Sequence, residues 1–228
     1  MTYRNLDDLA RVVRKSGLKV VEVGGWRGRG RPAYTGGFNP SGVLCHHTGS
    51  SGGGRSYAEW MAKEGRPDLP APLCHLALDR DGTVYVCADG RANHAGEAKA
   101  SGPMPAGDGN ATYIGIEAMN NGTEGWTRVQ RRAYIRLCAA LCVGYGLSAS
   151  SVRAHKETST TGKWDPGKLG MRRFRADVGK EVKAMKKKPT RVQRARHLLQ
   201  DALDHAQDKK MPKRARMIRR ALRQLPKK

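Results

Sequence analysis

Two short apolar runs, Val43-Leu44-Cys45 and Ile114-Gly115-Ile116, read as strands, and each ends on reactive side chains: His46-His47 after the first, Glu117 after the second. Stretches with helical spacing lie between and around them, so the first 185 residues predict a mixed α/β fold, a central β-sheet flanked by helices. Residues 6–14 read as an amphipathic helix ended by Gly17, and residues 18–23 as a β-rich run. A Gly/Arg-rich loop, 24–42, leads into the strand 43–47; residues 50–54 read as a flexible rim and 57–63 as a short helix. Runs 73–78 and 83–87 flank Asp79-Arg80-Asp81-Gly82, a hairpin turn in which Asp-Gly supplies the positive φ. Residues 98–110, rich in Gly, Pro and Ala, predict a mobile loop. Thr127-Arg128-Val129-Gln130 is a capping box that opens a helix reaching about Tyr145. A last helix of this unit should cover residues 169–185.

The chain changes character at Lys186-Lys187-Lys188-Pro189. Residues 186–228 hold 16 Lys/Arg against 3 Asp, about +13 of the formal net charge of +23. Thr190 can cap a helix with Val192, Ala195, Leu199, Ala202, Leu203 and Ala206 on one side. After a turn near residues 208–212, a second helix sets Ile218, Ala221, Leu222 and Leu225 beside many arginines. This C-terminal basic helical hairpin has two readings: a piece packed on the preceding domain with its charge solvated, or an element attracted to an anionic surface. Nucleic acid is allowed by charge, yet the tail holds no recognisable reading module or aromatic stacking platform, so no specific nucleic-acid partner is expected.

Five cysteines, Cys45, Cys74, Cys87, Cys138 and Cys142, follow no disulfide framework, and residues 1–10 carry no basic-then-apolar signal pattern. Synthesis in a reducing cytoplasm is expected. Cys138 and Cys142 fall on one helical stripe with Tyr134, Leu137, Leu141 and Tyr145, which places them in the core. The longest apolar stretch, 137–147, is too short to span a bilayer.

The chemistry concentrates in His46-His47, His155 and Lys163-Trp164-Asp165-Pro166-Gly167. Two imidazoles and a carboxylate suit a zinc site with one open position, although no short-range metal motif supports it and scattered histidines are commonly structural. Adjacent residues on a strand face opposite ways, so only one of His46 and His47 can face a given metal. Glu117 at a strand end suits a general base in a partly desolvated place, or merely a capping carboxylate; Lys163 is an oxyanion support or a solvated loop charge. Pro166 and Gly167 would stiffen the turn that holds Asp165. Trp164 reads as packing.

Taken in order, Val43-Leu44-Cys45-His46-His47-Thr48, Tyr113-Ile114-Gly115-Ile116-Glu117, His155 and Lys163-Trp164-Asp165-Pro166-Gly167 resemble the type 2 family of zinc-dependent N-acetylmuramoyl-L-alanine amidases. That family includes phage endolysins and peptidoglycan recognition proteins. The likeness covers roughly residues 40–180. It implies Zn2+ held by His46, His155 and Asp165, Glu117 as general base for a zinc-activated water, and Lys163 facing the scissile carbonyl. His47 would contact substrate, as would His94 in Ala92-Asn93-His94-Ala95-Gly96, where Asn93 replaces a usual aromatic residue. Cys74 stands where some relatives place a catalytic tyrosine, which shifts weight to Glu117.

The resemblance implies a peptidoglycan hydrolase of the endolysin kind, with residues 1–185 catalytic and 186–228 a basic tail for an anionic wall polymer or membrane surface. It would be made in a host cytoplasm and act on the wall after release. Two other readings remain: a peptidoglycan-binding module with little hydrolysis, and a nucleic-acid-binding protein resting on charge alone.

Overall fold

The computed structural model describes residues 2–187 and 191–225. In chain order the elements are α1 (Leu9–Arg14), β1 (Val20–Glu22), β2 (Gly42–His47), α2 (Gly54–Lys63), β3 (Gly65–Arg66), β4 (Leu69–Pro70), β5 (Leu76–Leu78) and β6 (Val84–Val86). They continue through β7 (Glu97–Ala98), β8 (Gly107–Asp108), α3 (Gly109–Thr112), β9 (Tyr113–Ala118), α4 (Arg128–Tyr145), β10 (Val152–Ala154), α5 (His155–Thr158), α6 (Met171–Lys186), α7 (Arg191–Asp208) and α8 (Pro212–Gln224).

Six strands form the central sheet in the order β1-β6-β5-β9-β2-β10. β5, β9, β2 and β10 run parallel, and the β5–β6 pairing is antiparallel. Strands covered on both faces need apolar residues at nearly every position, which accounts for the unbroken runs in β2 and β9. One face carries Val43, Cys45, Ile114, Ile116, Leu76 and Val84 into a core shared with α1, α4 and α6. The opposite face is covered in two patches. α2 packs Ala58, Met61 and Ala62 on Ala77 and Tyr85, while Ala95, Ala98 and Met104 pack on Leu44 and Tyr113. Between the patches the ends of β2 and β9 lie open to a cleft.

The β5–β6 hairpin turns at Gly82 with φ +84°, as the Asp-Gly pair predicts. Only half of the predicted capping box forms. Thr127 accepts from the Gln130 N–H at 3.0 Å, but the Gln130 side chain donates to the Met119 carbonyl at 3.0 Å, fastening α4 to the end of β9. The segment expected to be a mobile loop is built instead from a β7–β8 ladder and α3, whose N-cap Asp108 accepts from the Asn110 and Ala111 N–H groups.

The tail is the expected hairpin, with Leu203, Ala206, Ala215 and Ile218 as its own small core. The proposed Thr190 cap lies outside the described residues. α7 rests on α4 through Asp201, 3.0 Å from Arg132 and 2.8 Å from Arg136, and through Asp204, 3.3 Å from Arg132. Asp208 accepts from the Arg128 and Val129 N–H groups at 3.3 and 3.0 Å, supplying acceptors to the open first turn of α4.

Candidate active site

Register brings the reactive residues together. His46 pairs with Glu117, and Cys45 with Ala154, so His155, the next residue after β10, stands level with His46. All three lie at the carboxyl ends of parallel strands, where α/β sheets bind ligands. Beneath them the buried Tyr134 hydroxyl sits 3.1 Å from the His46 carbonyl and 3.2 Å from that of Ile116, tying both strand ends to α4. The turn that presents His155 is fixed by Glu157, which accepts from the Ala154 N–H at 2.9 Å and from Arg175 at 2.7 Å. The loop to Asp165 is organised by Ser159, whose Oγ accepts from the Thr161 and Lys163 N–H groups, and by the Lys156 N–H, which donates to the Asp165 carbonyl at 2.9 Å.

Asp165 Oδ2 lies 2.8 Å from His46 Nδ1 and 3.2 Å from His155 Nδ1. These donor atoms fall within 4.8 Å of one another, so His46, His155 and Asp165 could hold a metal ion. The hydrogen-bond network fixes the tautomers around them. His94 Nε2 lies 3.2 Å from the Tyr113 carbonyl, which only accepts, so that nitrogen carries the hydrogen and His94 Nδ1 accepts. His46 Nε2, 3.1 Å from His94 Nδ1, must then donate, and His155 Nε2 likewise donates to the Ala95 carbonyl at 3.2 Å. With both rings neutral, two nitrogen lone pairs and an ionised carboxylate oxygen face one another with no proton between them. Such a cluster repels itself unless a cation or an extra proton joins it. The residues present therefore fit a zinc-type ion.

Burial sets the electrostatics. It pulls His46 below the ordinary imidazole value, against the opposing effect of Asp165, and pulls His94 well below, with His46, His75 and His155 adding to the effect. Burial also opposes ionisation of Asp165, yet hydrogen bonds from His155 and His46, made when the cluster takes up a proton in place of a cation, outweigh it and hold that carboxyl low. Glu117 is pushed well above the usual carboxylate range by burial first and Asp165 second, with Lys163 pulling the other way. Its Oε1 lies 3.9 Å from His46 Nδ1, and its buried Oε2 meets no partner among the described residues. An uncompensated basic carboxylate beside the donor cluster can accept a proton from a water between them.

The cleft over these groups measures about 470 Å³; Lys163, His47, Asn93, Arg66 and Trp60 are among the residues that line it. His47 stays outside the donor cluster. Its ring meets Trp164 edge to face at 4.5 Å, and Trp164 is 51% exposed, so the indole is an open cover over His47 rather than the packing residue expected. His94 also lines the cleft, but its ring backs His46. Cys74 is buried against α2, away from solvent. Two features escaped sequence reasoning. His75, pushed down to about 3 by burial, accepts from the Gly115 N–H at 2.9 Å and stacks on Phe38. Gly115 itself makes room for His94: a Cβ there would lie 2.6 Å from the ring. A lone glycine inside a strand run signals such a close approach.

A parallel-sheet cleft holding a two-histidine, one-carboxylate donor group and a buried second carboxylate is the layout of a hydrolase. Residues 36–168, more than half of the chain, match the family described as N-acetylmuramoyl-L-alanine amidase, and the chain belongs to that family of peptidoglycan amide hydrolases. Solved structures agree in fold. The selenomethionine derivative of AmpD is 24% identical with a TM-score of 0.53, covering 71% of this chain and 94% of its own. The amidase LysC from Clostridium intestinale is 23% identical with a TM-score of 0.52, covering 70% and 97%. A mutant endolysin from Bacillus subtilis is 23% identical with a TM-score of 0.52, covering 71% and 99%. A comparison with curated proteins finds no match.

Proposed function

We propose that this amidase is an endolysin-type enzyme that holds zinc through His46, His155 and Asp165 and cuts the amide between the lactyl group of N-acetylmuramic acid and L-alanine. The observation that carries the reading is the meeting of His46 Nδ1, His155 Nδ1 and an Asp165 carboxylate oxygen in one buried cluster. A zinc ion bound there would supply a Lewis acid that polarises the carbonyl and acidifies water. Glu117 takes a proton from the attacking water as the tetrahedral centre forms and passes it to the L-alanine nitrogen as the C–N bond breaks. Lys163 stabilises the oxyanion electrostatically. His47, beneath Trp164, contacts the substrate at the cleft floor. His94 also lines the cleft; by accepting from His46 Nε2 it keeps Nδ1 free to ligate. A bare recognition module would not need a buried Glu117 with an unpartnered Oε2 beside a full donor set.

Residues 1–185 form the catalytic unit in this reading, and 186–228 an appended element that adds contact with the anionic envelope. Metal content of single alanine variants tests the donor set. His46→Ala, His155→Ala and Asp165→Ala should lose zinc while His47→Ala keeps it; loss from His47→Ala with retention in His46→Ala overturns the assignment. Mass analysis of digested wall tests the reaction: new L-alanine amino termini without new reducing sugars are expected, and new reducing ends would refute it.

A further inference from the structure

The tail's charge is sorted. Its three carboxylates, Asp201, Asp204 and Asp208, all turn inward to Arg132, Arg136 and the first turn of α4. α8 turns Ala215 and Ile218 into the hairpin core and leaves Lys213, Arg214, Arg216, Arg219, Arg220 and Arg223 exposed, none of them paired with a carboxylate among the described residues. At 100° per residue, Met217 falls between Lys213 and Arg214 on the outward side, with Arg220 just beyond Lys213, and is 67% exposed. Met217 on α8 and Met211 at its N-cap are two of the five exposed large apolar side chains among the described residues; the others are Leu198 on α7, Tyr34 and Trp164.

We infer that the outer face of α8 is a docking surface for a phospholipid bilayer rich in anionic headgroups. Cations alone would suit any polyanion. Cations interleaved with open apolar side chains suit a surface whose negative layer covers an apolar interior, because the charged heads can stay with the phosphates while Met217 enters below them. A hydrophilic polyanion such as duplex DNA gives Met217 no such place. The hairpin stays closed in this contact, since its inner apolar face is already occupied by α7. The inference sharpens the envelope contact proposed for the tail and does not depend on the amidase chemistry.

The test is co-sedimentation of the full-length protein with vesicles of phosphatidylglycerol and phosphatidylcholine, or of phosphatidylcholine alone, at low salt and at 0.5 M salt. Tight binding to the anionic vesicles only, lost at high salt, is expected. Arg216→Glu with Arg220→Glu should weaken it by ~10-fold or more, as loss and reversal of surface charge requires. Met217→Ser should weaken vesicle binding by about threefold while leaving retention on heparin, a polyanion without an apolar interior, unchanged. Equal binding to both vesicle types, or a Met217→Ser variant that binds as wild type, overturns the proposal. So does duplex DNA binding tighter than the anionic vesicles, which would assign the face to nucleic acid. Hydrolysis of a soluble muropeptide by the same variants should not change. An inactive protein that still binds vesicles counts against the enzymatic reading alone.

Discussion

Glu117 and His46 illustrate how much single side chains carry. Glu117→Gln keeps the shape and removes the base, so turnover should fall ~10²- to 10⁴-fold with zinc content intact; near-normal rates would move the proton-transfer role elsewhere. Because a buried carboxylate titrates high, wild-type activity should rise with pH as Glu117 ionises, and the glutamine variant's residual rate should lack that limb. His94 acts through His46. His94→Ala should weaken zinc binding by ~10- to 100-fold, and His94→Asn, whose Oδ1 can replace the accepting Nδ1, should recover part of it. His75 gives a stability signature. Its folded value of about 3 lies below the unfolded 6.5, so the unfolded chain binds more protons between those limits and stability falls as pH drops through them. His75→Asn keeps an acceptor for Gly115 and should flatten that slope by up to ~1.4 kcal/mol per pH unit in acid-melting curves; an unchanged slope would mean the ring titrates normally. At this scale the sequence reveals which residues meet, because they sit in motifs. It conceals what stands behind them: the partnership of His94 with His46 and Gly115 depends on strand register, and the exposure of Trp164 depends on where its loop ends.

Among the elements, strands and helices were legible wherever apolar periodicity was strong, as in β2, β9, α4 and α6, and the Asp-Gly turn was equally legible because it rests on local backbone chemistry. The region around 98–110 was not, since its order comes from a two-residue ladder and an Asp108 cap that leave no periodic trace. Gln130 shows the same limit. Its spacing from Thr127 fits a reciprocal cap, yet tertiary contact with Met119 takes the side chain. The cap on α4 from Asp208 was invisible for a different reason: the donor and acceptor lie about 80 residues apart. Asp208→Ala should cost ~0.5–2 kcal/mol in thermal or urea unfolding, the usual range for losing a helix N-terminal acceptor. A change within error would mean water replaces it.

For the whole molecule, no described helix is long and apolar enough to cross a membrane. A chain ending at Met185 should still bind zinc and cleave soluble muropeptides at close to the full rate, with a modest loss of stability from the missing Asp208 acceptors at the start of α4. Loss of zinc or of cooperative unfolding would make the hairpin integral to the catalytic fold. His46 and Asp165 are 119 residues apart in sequence, and all five cysteines are free. An ion seated between β2 and the loop after α5 would therefore act as a cross-link, closing a very long loop whose entropy the unfolded state would otherwise keep. Chelation should then behave like the reduction of a disulfide, lowering the melting temperature of the entire catalytic sheet.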